Sequence, residues 1–144
     1  LLEQDFGVLS DVWSVTSYNE LARQGRNVTR WNRLHPDEPP QIAYVTEQLT
    51  KAGGPVVAAT DYTQTYADQI REFVPGRYVV LGTDGFGRSG TREQLRGFFE
   101  VNRYHIALVA LTALADEGAL PRSTILDAIS RYPVDSEKPN PATA

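Results

Sequence analysis

The sequence contains no cysteine, and only two of its 144 residues are histidine. Without thiols, both a disulfide framework and a thiolate metal site are excluded. The 18 acidic residues outnumber the 14 basic ones, and the net charge of -4 argues against a dedicated nucleic-acid binder, which needs a basic surplus. No apolar run approaches the roughly 20 residues that a membrane-spanning helix requires. We therefore expect neither nucleic acid nor a membrane as a partner.

Methionine is absent as well, whereas the rest of the composition is typical of one folded domain, with 41% hydrophobic and 22% charged residues. The chain opens on Leu1 and reaches Gly7 through a short apolar and acidic stretch. This pattern is typical of the last turns of a helix closed by a glycine with positive φ. A helix that has an end but no beginning leads us to expect a piece of a longer protein.

Three short apolar runs predict buried parallel strands, because each is nearly continuous rather than alternating. They are Asp11–Val15, Val56–Ala59 and Tyr78–Leu81. A helix-start signal follows each run: Ser17 with Glu20, Asp61 as an N-cap, and Thr91 with Gln94. Alternating strands and helices predict an α/β fold of three layers, α/β/α, with a mostly parallel sheet.

Further helices are predicted over Arg23–Leu34, around Ile42–Leu49, over Tyr104–Ala115, and after Pro121. The helix Tyr104–Ala115 is apolar almost all round, so we expect one side to face the sheet and another to face a second domain or subunit. Leu108 and Leu111 are the candidate interface residues on that helix. The expected domain covers residues 1–132, and residues 133–144 form a C-terminal tail.

The loop Gly82–Thr91 is the most suggestive local motif. Its glycines satisfy G-x-G-x-x-G, and it nearly forms a P-loop, although Arg88 stands where that motif needs lysine. One interpretation is a stand-alone nucleotide- or flavin-binding module that uses this loop. The other, which we favour, is a structural turn whose residues cap backbone groups and supply unusual φ angles. The residues of that predicted structural loop are Asp84, Gly85, Gly87, Arg88 and Ser89.

No other constellation predicts chemistry. The polar residues that follow the three predicted strands lie at the edge where α/β proteins bind ligands, but N-capping also requires them. His35 and His105 lie in no metal-ligand spacing. We therefore predict no catalytic residue, no cofactor-binding residue and no metal ligand in this chain.

Four long strings carry a more specific signal than any of these motifs. They resemble the homodimeric bacterial pyruvate dehydrogenase component of the 2-oxo acid dehydrogenase complex, and the likeness runs from Leu1 to about Pro141. The matching region is the last domain of that enzyme, a transketolase C-terminal-type α/β domain. The strings are DVWSVTSYNEL (Asp11–Leu21), RWNRLHP (Arg30–Pro36), PVVAATDY (Pro55–Tyr62) and YVVLGTDGFGRSGTREQLRGFFEV (Tyr78–Val101).

The resemblance implies an enzyme that decarboxylates pyruvate on thiamine diphosphate with Mg²⁺ and reductively acetylates lipoyl groups. It implies that the cofactor is held by preceding domains, because the family's Gly-Asp-Gly signature is Thr83-Asp84-Gly85 here, and Asn102 follows too closely. The implied partners are the chain's own upstream domains, the second subunit of a homodimer and a dihydrolipoyl acetyltransferase core. A cytoplasmic location and a further strand upstream are implied too.

Overall fold

The computed structural model describes all residues from 1 to 144 and contains seven α-helices, one 3-10 turn and two strands. None of the helices is long and apolar enough to cross a membrane. In chain order the elements are α1 (Leu2–Phe6), α2 (Tyr18–Leu34), α3 (Tyr44–Thr50), β1 (Val56–Ala59), α4 (Gln64–Asp68), the 3-10 turn (Arg71–Phe73), β2 (Tyr78–Leu81), α5 (Arg92–Phe98), α6 (Arg103–Asp116) and α7 (Ser123–Arg131).

The sheet confirms two of the three predicted strands. β1 and β2 pair in parallel, with Val56 opposite Tyr78 and Ala59 opposite Leu81. α4 and the 3-10 turn connect them, as a parallel crossover requires. The α/β class and the parallel sheet are therefore as predicted.

The third predicted strand, Asp11–Val15, is not a strand in this structure. The segment forms no backbone–backbone hydrogen bond, and Val12 is 93% exposed. The prediction was wrong because apolar β-branched residues favour a strand only where a neighbouring strand accepts and donates their backbone hydrogen bonds.

The larger of two apolar clusters covers one face of the sheet, and α6 lies on the other. Ala58, Tyr78 and Val80 belong to the larger cluster, which includes side chains of α2, α3 and α4. α6 contacts both strands, and since successive strand residues face opposite ways, it covers the other face. The smaller cluster joins α6 to α7 and to residues of α1. Helices therefore flank the sheet on both sides, as a three-layer arrangement requires.

Local hydrogen bonds close the end of α1 and begin α2 and α5, at the residues that the sequence predicted. The Gly7 cap closes α1 with a φ of 66°. Ser17 accepts a hydrogen bond from the Glu20 backbone at the start of α2, although the Glu20 side chain pairs with Arg23 instead of completing the capping box. Thr91 and Gln94 form both halves of a capping box at α5.

Asp61 does not cap a helix, contrary to the prediction. The helix after β1 begins three residues later, with Thr63 as its N-cap, and Thr63 makes no side-chain capping bond. The Asp61 carboxylate instead receives two hydrogen bonds from the Arg96 guanidinium of α5. A long-range charged partner has replaced the local backbone partner that the sequence predicted.

The apolar helix α6 is largely, but not fully, covered within the chain itself. Every residue from Tyr104 to Ala115 is buried or half-buried, and Leu111 has 0% exposure. The structure thus leaves Leu111 no surface for contact with a neighbouring domain, because Leu111 packs in the cluster that α6 shares with α7. Leu108 is half-buried against the same cluster and keeps some exposed surface.

Candidate functional site

The Gly82–Thr91 loop is packed tightly against the start of α4. A Cβ at Gly82 would lie 2.6 Å from the Gln64 nitrogen and 2.7 Å from the Tyr62 oxygen. The backbone N–H of Thr83 donates to that same Tyr62 carbonyl at 2.9 Å. Glycine is therefore required at position 82 because two backbone segments touch there.

Asp84 binds the amino end of α4. Its Oδ2 accepts a hydrogen bond from the backbone N–H of Gln64 at 3.1 Å. A carboxylate near the first turn of a helix satisfies an unpaired donor and is attracted by the helix dipole. Asp84 thus does for α4 what Asp61 was predicted to do, but from 20 residues away.

The C-terminal tail lies against the same loop. Gly85 has a φ of 114°, and a Cβ there would lie 2.5 Å from the Pro141 carbonyl oxygen. Gly87, by contrast, has no positive φ, and a Cβ at that position would have no atom within 4 Å. Packing therefore requires glycine at position 85 but not at position 87.

Lys138, in the C-terminal tail, binds the carboxyl end of α5. Its Nζ donates to the carbonyl oxygens of Gly97, at 3.2 Å, and Phe98. The same ammonium pairs with Glu100 at 3.3 Å. The Gly97 carbonyl also accepts from the backbone N–H of Glu100 at 3.4 Å. The lysine therefore adds to the capping of α5 and complements the negative end of the helix dipole.

Arg88 stacks on an aromatic ring rather than facing an open phosphate site. Its guanidinium carbon lies 4.1 Å from the centre of the Phe98 ring, and Lys138 lies 5.1 Å from the same ring. Such cation–π contacts contribute about 0.5–1 kcal/mol at exposed sites. Ser89 makes no side-chain hydrogen bond, so the predicted capping role is not seen for it.

A cavity of about 490 Å³ lies between the loop and α5. Arg88, Arg92 and Arg96 all line it, together with Asp61. The hydrogen bond from Arg96, followed by the charges of Arg96 and Arg92, lowers the pKa of the Asp61 carboxyl despite some burial. Arg88 stacks on Phe98 and Arg96 pairs with Asp61, whereas Arg92 makes neither an ion pair nor a ring contact.

A larger open cleft of about 1180 Å³ lies at the carboxyl end of β1. Residues 13–15, residues 59–61, the start of α5 and the start of α6 line it. Asn102 caps α6 there, since its Oδ1 accepts from the backbone N–H groups of Tyr104 and His105 at 3.0 and 3.1 Å. Of the polar residues expected to follow the predicted strands, only Thr60 and Asp61 line this cleft, and Asp61 binds Arg96.

The two histidines lie apart from each other and from any carboxylate cluster. His35 stacks on Trp31 with ring centres 4.4 Å apart. Burial lowers the pKa of His105, with an opposing contribution from Glu100 and a smaller lowering one from Lys138. No group of three or more His, Asp or Glu side chains is placed to hold a metal ion.

The family model of the transketolase-like TK C-terminal domain matches residues 1–102. The chain belongs to this family of domains. Across nearly its whole length it is similar to the C-terminal region of pyruvate dehydrogenase E1 components. It is 58% identical to the E1 component of Cupriavidus necator over 98% of the chain, and 55% identical to that of Pseudomonas aeruginosa over 98%. The E1 component of Escherichia coli K12 is 47% identical over 100%.

The chain spans only 16% of the length of each of these three relatives. The family match confirms the resemblance that the four strings indicated and gives no support to the nucleotide- or flavin-binding alternative. The structure also argues against the nucleotide-binding alternative, because helices and no strand follow β2. A dinucleotide fingerprint needs a further strand there, with an acidic residue for the ribose.

Sequence reasoning missed the residues that hold the loop in place. Gln64, Lys138, Pro141 and Arg96 each meet their partners across 20 or more residues. No local spacing pattern connects such positions. The one available signal was the type of residue, since a lysine in a polar tail and an arginine in the last turn of a helix are common partners of helix ends and carboxylates.

Proposed function

We propose that this chain is the non-catalytic C-terminal domain of a pyruvate dehydrogenase E1 component. In this proposal the whole enzyme decarboxylates pyruvate and reductively acetylates lipoyl groups. The domain serves packing against the upstream domains, formation of a homodimer and assembly with the dihydrolipoyl acetyltransferase core. A cytoplasmic location is part of the same proposal, since the relatives named above are bacterial E1 components.

The observation that carries a non-catalytic role is the engagement of the polar side chains around the loop. Asp84 binds the α4 backbone, Asp61 binds Arg96, and Lys138 binds the end of α5. A catalytic acid or base must reach a substrate proton, and each of these groups is already bonded to the chain. These three charged side chains thus hold the domain together.

The donor set does not fit thiamine diphosphate or Mg²⁺. Mg²⁺ in such enzymes needs carboxylate and amide oxygens in near-octahedral geometry, and no carboxylate cluster is present. A diphosphate also needs an open backbone cradle, whereas the loop at Gly85 is filled by the carbonyl of Pro141. We therefore assign the cofactor to other domains of the enzyme and derive no step through it here.

Activity assays on two polypeptides test the proposal. The full-length enzyme, supplied with thiamine diphosphate, Mg²⁺, pyruvate and an artificial electron acceptor, should turn over. The 144-residue chain alone should give no turnover above a protein-free blank under the same conditions. Turnover by the isolated chain would overturn the non-catalytic assignment, and a full-length protein inactive on pyruvate would overturn the enzyme assignment.

Calorimetry tests the loop separately. ATP, NAD and FMN should produce no saturable heat with the 144-residue chain, because Arg88 and Gly85 already have partners within it. Submillimolar binding of any of the three would contradict the structural role of the loop.

A further inference from the structure

Four arginines form one row along the exposed face of α2. They are spaced three, four and three residues apart, which places them on one side of a helix with about 3.6 residues per turn. All four are exposed, and the row lies opposite the buried residues Ala22 and Gly25. Leu34, which is 55% exposed, follows on the same face. The members of this α2 arginine row are Arg23, Arg26, Arg30 and Arg33.

The α2 arginine row has almost no acidic partner within the chain. Arg23 pairs with Glu20, whereas Arg26, Arg30 and Arg33 make neither an ion pair nor a cation–π contact. Of the eight arginines outside α2, by contrast, seven contact a carboxylate or an aromatic ring. Unpaired positive charge is therefore concentrated on this one helix face.

Such a concentration of like charge works against the helix that carries it. Like charges three or four positions apart repel each other and destabilise a helix. The repulsion acts along a row of about 15 Å, for a rise of about 1.5 Å per residue. Carboxylates placed opposite the arginines would remove the repulsion and accept charge-assisted hydrogen bonds. The row therefore has the chemistry of a binding surface for an acidic partner.

The spacing of the row favours a helix as that partner. Alternating steps of three and four residues are the spacing with which one helix presents a seam to another that lies along it. A helix with acidic residues at the same steps would meet an arginine at every turn of α2. Leu34, at the end of the row, adds an apolar contact for such a helix.

Neither a second copy of this chain nor the polypeptide joined to Leu1 fits the row. α2 against α2 would place arginine opposite arginine, and no helix of the chain carries two acidic residues three or four positions apart. A polypeptide joined to Leu1 would enter on the other side of the sheet, because α1 packs with α6 and α7 whereas α2 packs in the larger cluster. These relations favour a separate polypeptide as the source of the acidic helix.

A phosphate polyanion fits the row less well than a helix does. Nucleic-acid binding needs a basic surplus over a wide surface, whereas this chain has a net charge of -4. Asp37 and Glu38, both exposed, follow just beyond the end of α2, where they would repel a polyanion longer than the row.

We propose that the α2 arginine row is a docking surface for an acidic helix of a separate polypeptide. The partner helix lies along α2 with carboxylates opposite the four arginines and an apolar side chain on Leu34. Its affinity is electrostatic for the most part, so it falls as the salt concentration rises.

Binding of synthetic helical peptides to the full-length protein tests the proposal. The test peptide carries glutamates at steps of three, four and three residues, with a leucine at the next position of the same face. The control peptide has the same composition, with its glutamates distributed around the helix. The test peptide should bind saturably and at least about tenfold more tightly than the control. Equal affinity of the two peptides, or no binding of either, would overturn the proposal.

Charge reversal within the row locates the site. Arg26→Glu combined with Arg30→Glu should weaken binding of the glutamate peptide at least about tenfold, and this variant should instead bind a peptide with lysines at the four positions. Gain of the lysine peptide separates loss of charge complementarity from loss of the fold. Lys51→Glu combined with Arg92→Glu reverses two exposed cations outside the row and is the matched control. If the control variant loses as much affinity as the row variant, the row is not the site.

A DNA duplex and phosphatidylglycerol vesicles provide the alternative ligands. Binding of either one that the row variant loses, without selective binding of the glutamate peptide, would assign the row to phosphates and overturn the proposal. None of these measurements uses pyruvate turnover. Failure of the docking surface therefore leaves the proposed function standing, and an enzyme inactive on pyruvate leaves the docking surface standing.

Discussion

The carboxylate of Asp84, three residues after the end of β2, accepts a hydrogen bond from the backbone N–H of Gln64 at the first turn of α4. The bond ties the end of one strand to the beginning of the helix that leads into it. It also places the glycine loop against α4, where Gly82 leaves room for the Tyr62 carbonyl. The loop therefore joins the end of β2 to the beginning of α4.

Removal of the Asp84 carboxylate tests this role. Asp84→Ala should lower the free energy of unfolding by about 1–2 kcal/mol, as loss of a helix cap does. Asp84→Asn should lose much less, because the amide oxygen still accepts the Gln64 N–H. Denaturant unfolding of the two variants measures the difference. If both variants lose the same amount, the charge and not the hydrogen bond is what stabilises the fold.

Replacement of Gly85 and of Gly87 by alanine should have unequal effects on the C-terminal tail. Gly85→Ala should loosen the C-terminal tail, because a Cβ would collide with the Pro141 carbonyl and the φ of 114° disfavours any side chain. The expected cost exceeds about 1 kcal/mol, and limited proteolysis should cut the tail sooner. Gly87→Ala is the matched control and should leave both measurements unchanged. Equal tail cleavage in the two variants would contradict the packing argument.

Ionisation of the Tyr132 hydroxyl should lower the stability of the chain at alkaline pH. Its hydroxyl donates to Asp5 Oδ2 at 2.8 Å, and burial first, then that hydrogen bond, raises its pKa from 10.0 to about 12. Because the folded pKa is the higher one, the contribution is complete below the unfolded pKa and is lost as the pH rises through the folded pKa.

Tyr132→Phe should therefore lower the free energy of unfolding by about 1 kcal/mol at neutral pH. Between pH 10 and 12 the stability of this variant should fall less than that of the parent chain. Tyr44→Phe, at an exposed tyrosine without a hydroxyl hydrogen bond, is the control. Unfolding curves at several pH values provide the measurement. A parent-like alkaline loss in Tyr132→Phe would show that another group is responsible.

The burial of Leu111 predicts a large effect within the chain alone. Leu111→Ala should lower the free energy of unfolding by about 2–5 kcal/mol, since it opens a cavity between α6 and α7. Leu126→Ala, at a leucine that is 69% exposed, should stay within about 0.5 kcal/mol. If the isolated chain tolerates Leu111→Ala as well as Leu126→Ala, the packing of α6 described above is wrong.

An interface role for Leu108 stays a prediction for the full-length enzyme. Leu108→Asp there should weaken assembly or domain docking, seen as a lower mass in sedimentation or as faster proteolysis between domains. The melting temperature of the variant separates this outcome from simple unfolding of the half-buried site. Unchanged assembly and proteolysis would limit Leu108 to a packing role.

Elements stabilised by near neighbours could be predicted from the sequence, because their determining contacts lie within a few residues. The Gly7 cap, the Ser17 cap and the Thr91–Gln94 capping box are all contacts of this kind. β1 and β2 were also predictable, since each is a short apolar run. The sequence led us to expect a structural turn in the loop, but it indicated none of the partners that contact the loop in the structure.

Partners distant along the chain were decided only by the tertiary structure. Asp61 and Asp84 are both acids just after a strand, and local reasoning made both of them caps of nearby backbone. In the structure, Asp61 instead binds Arg96, and Asp84 accepts from a backbone N–H at the first turn of α4. Leu108 and Leu111 look equally apolar in the sequence, yet only Leu111 is fully enclosed.

By itself, the sequence determined where most helices and both strands lie and which family the domain resembles, because propensity, capping and long shared strings are properties of neighbouring residues. The tertiary structure decided which carboxylate meets which donor, which face of α6 is enclosed, and that Asp11–Val15 stays unpaired beside β1. Each of those outcomes depends on what lies next in space. A strand in particular exists only when another strand satisfies its backbone hydrogen bonds.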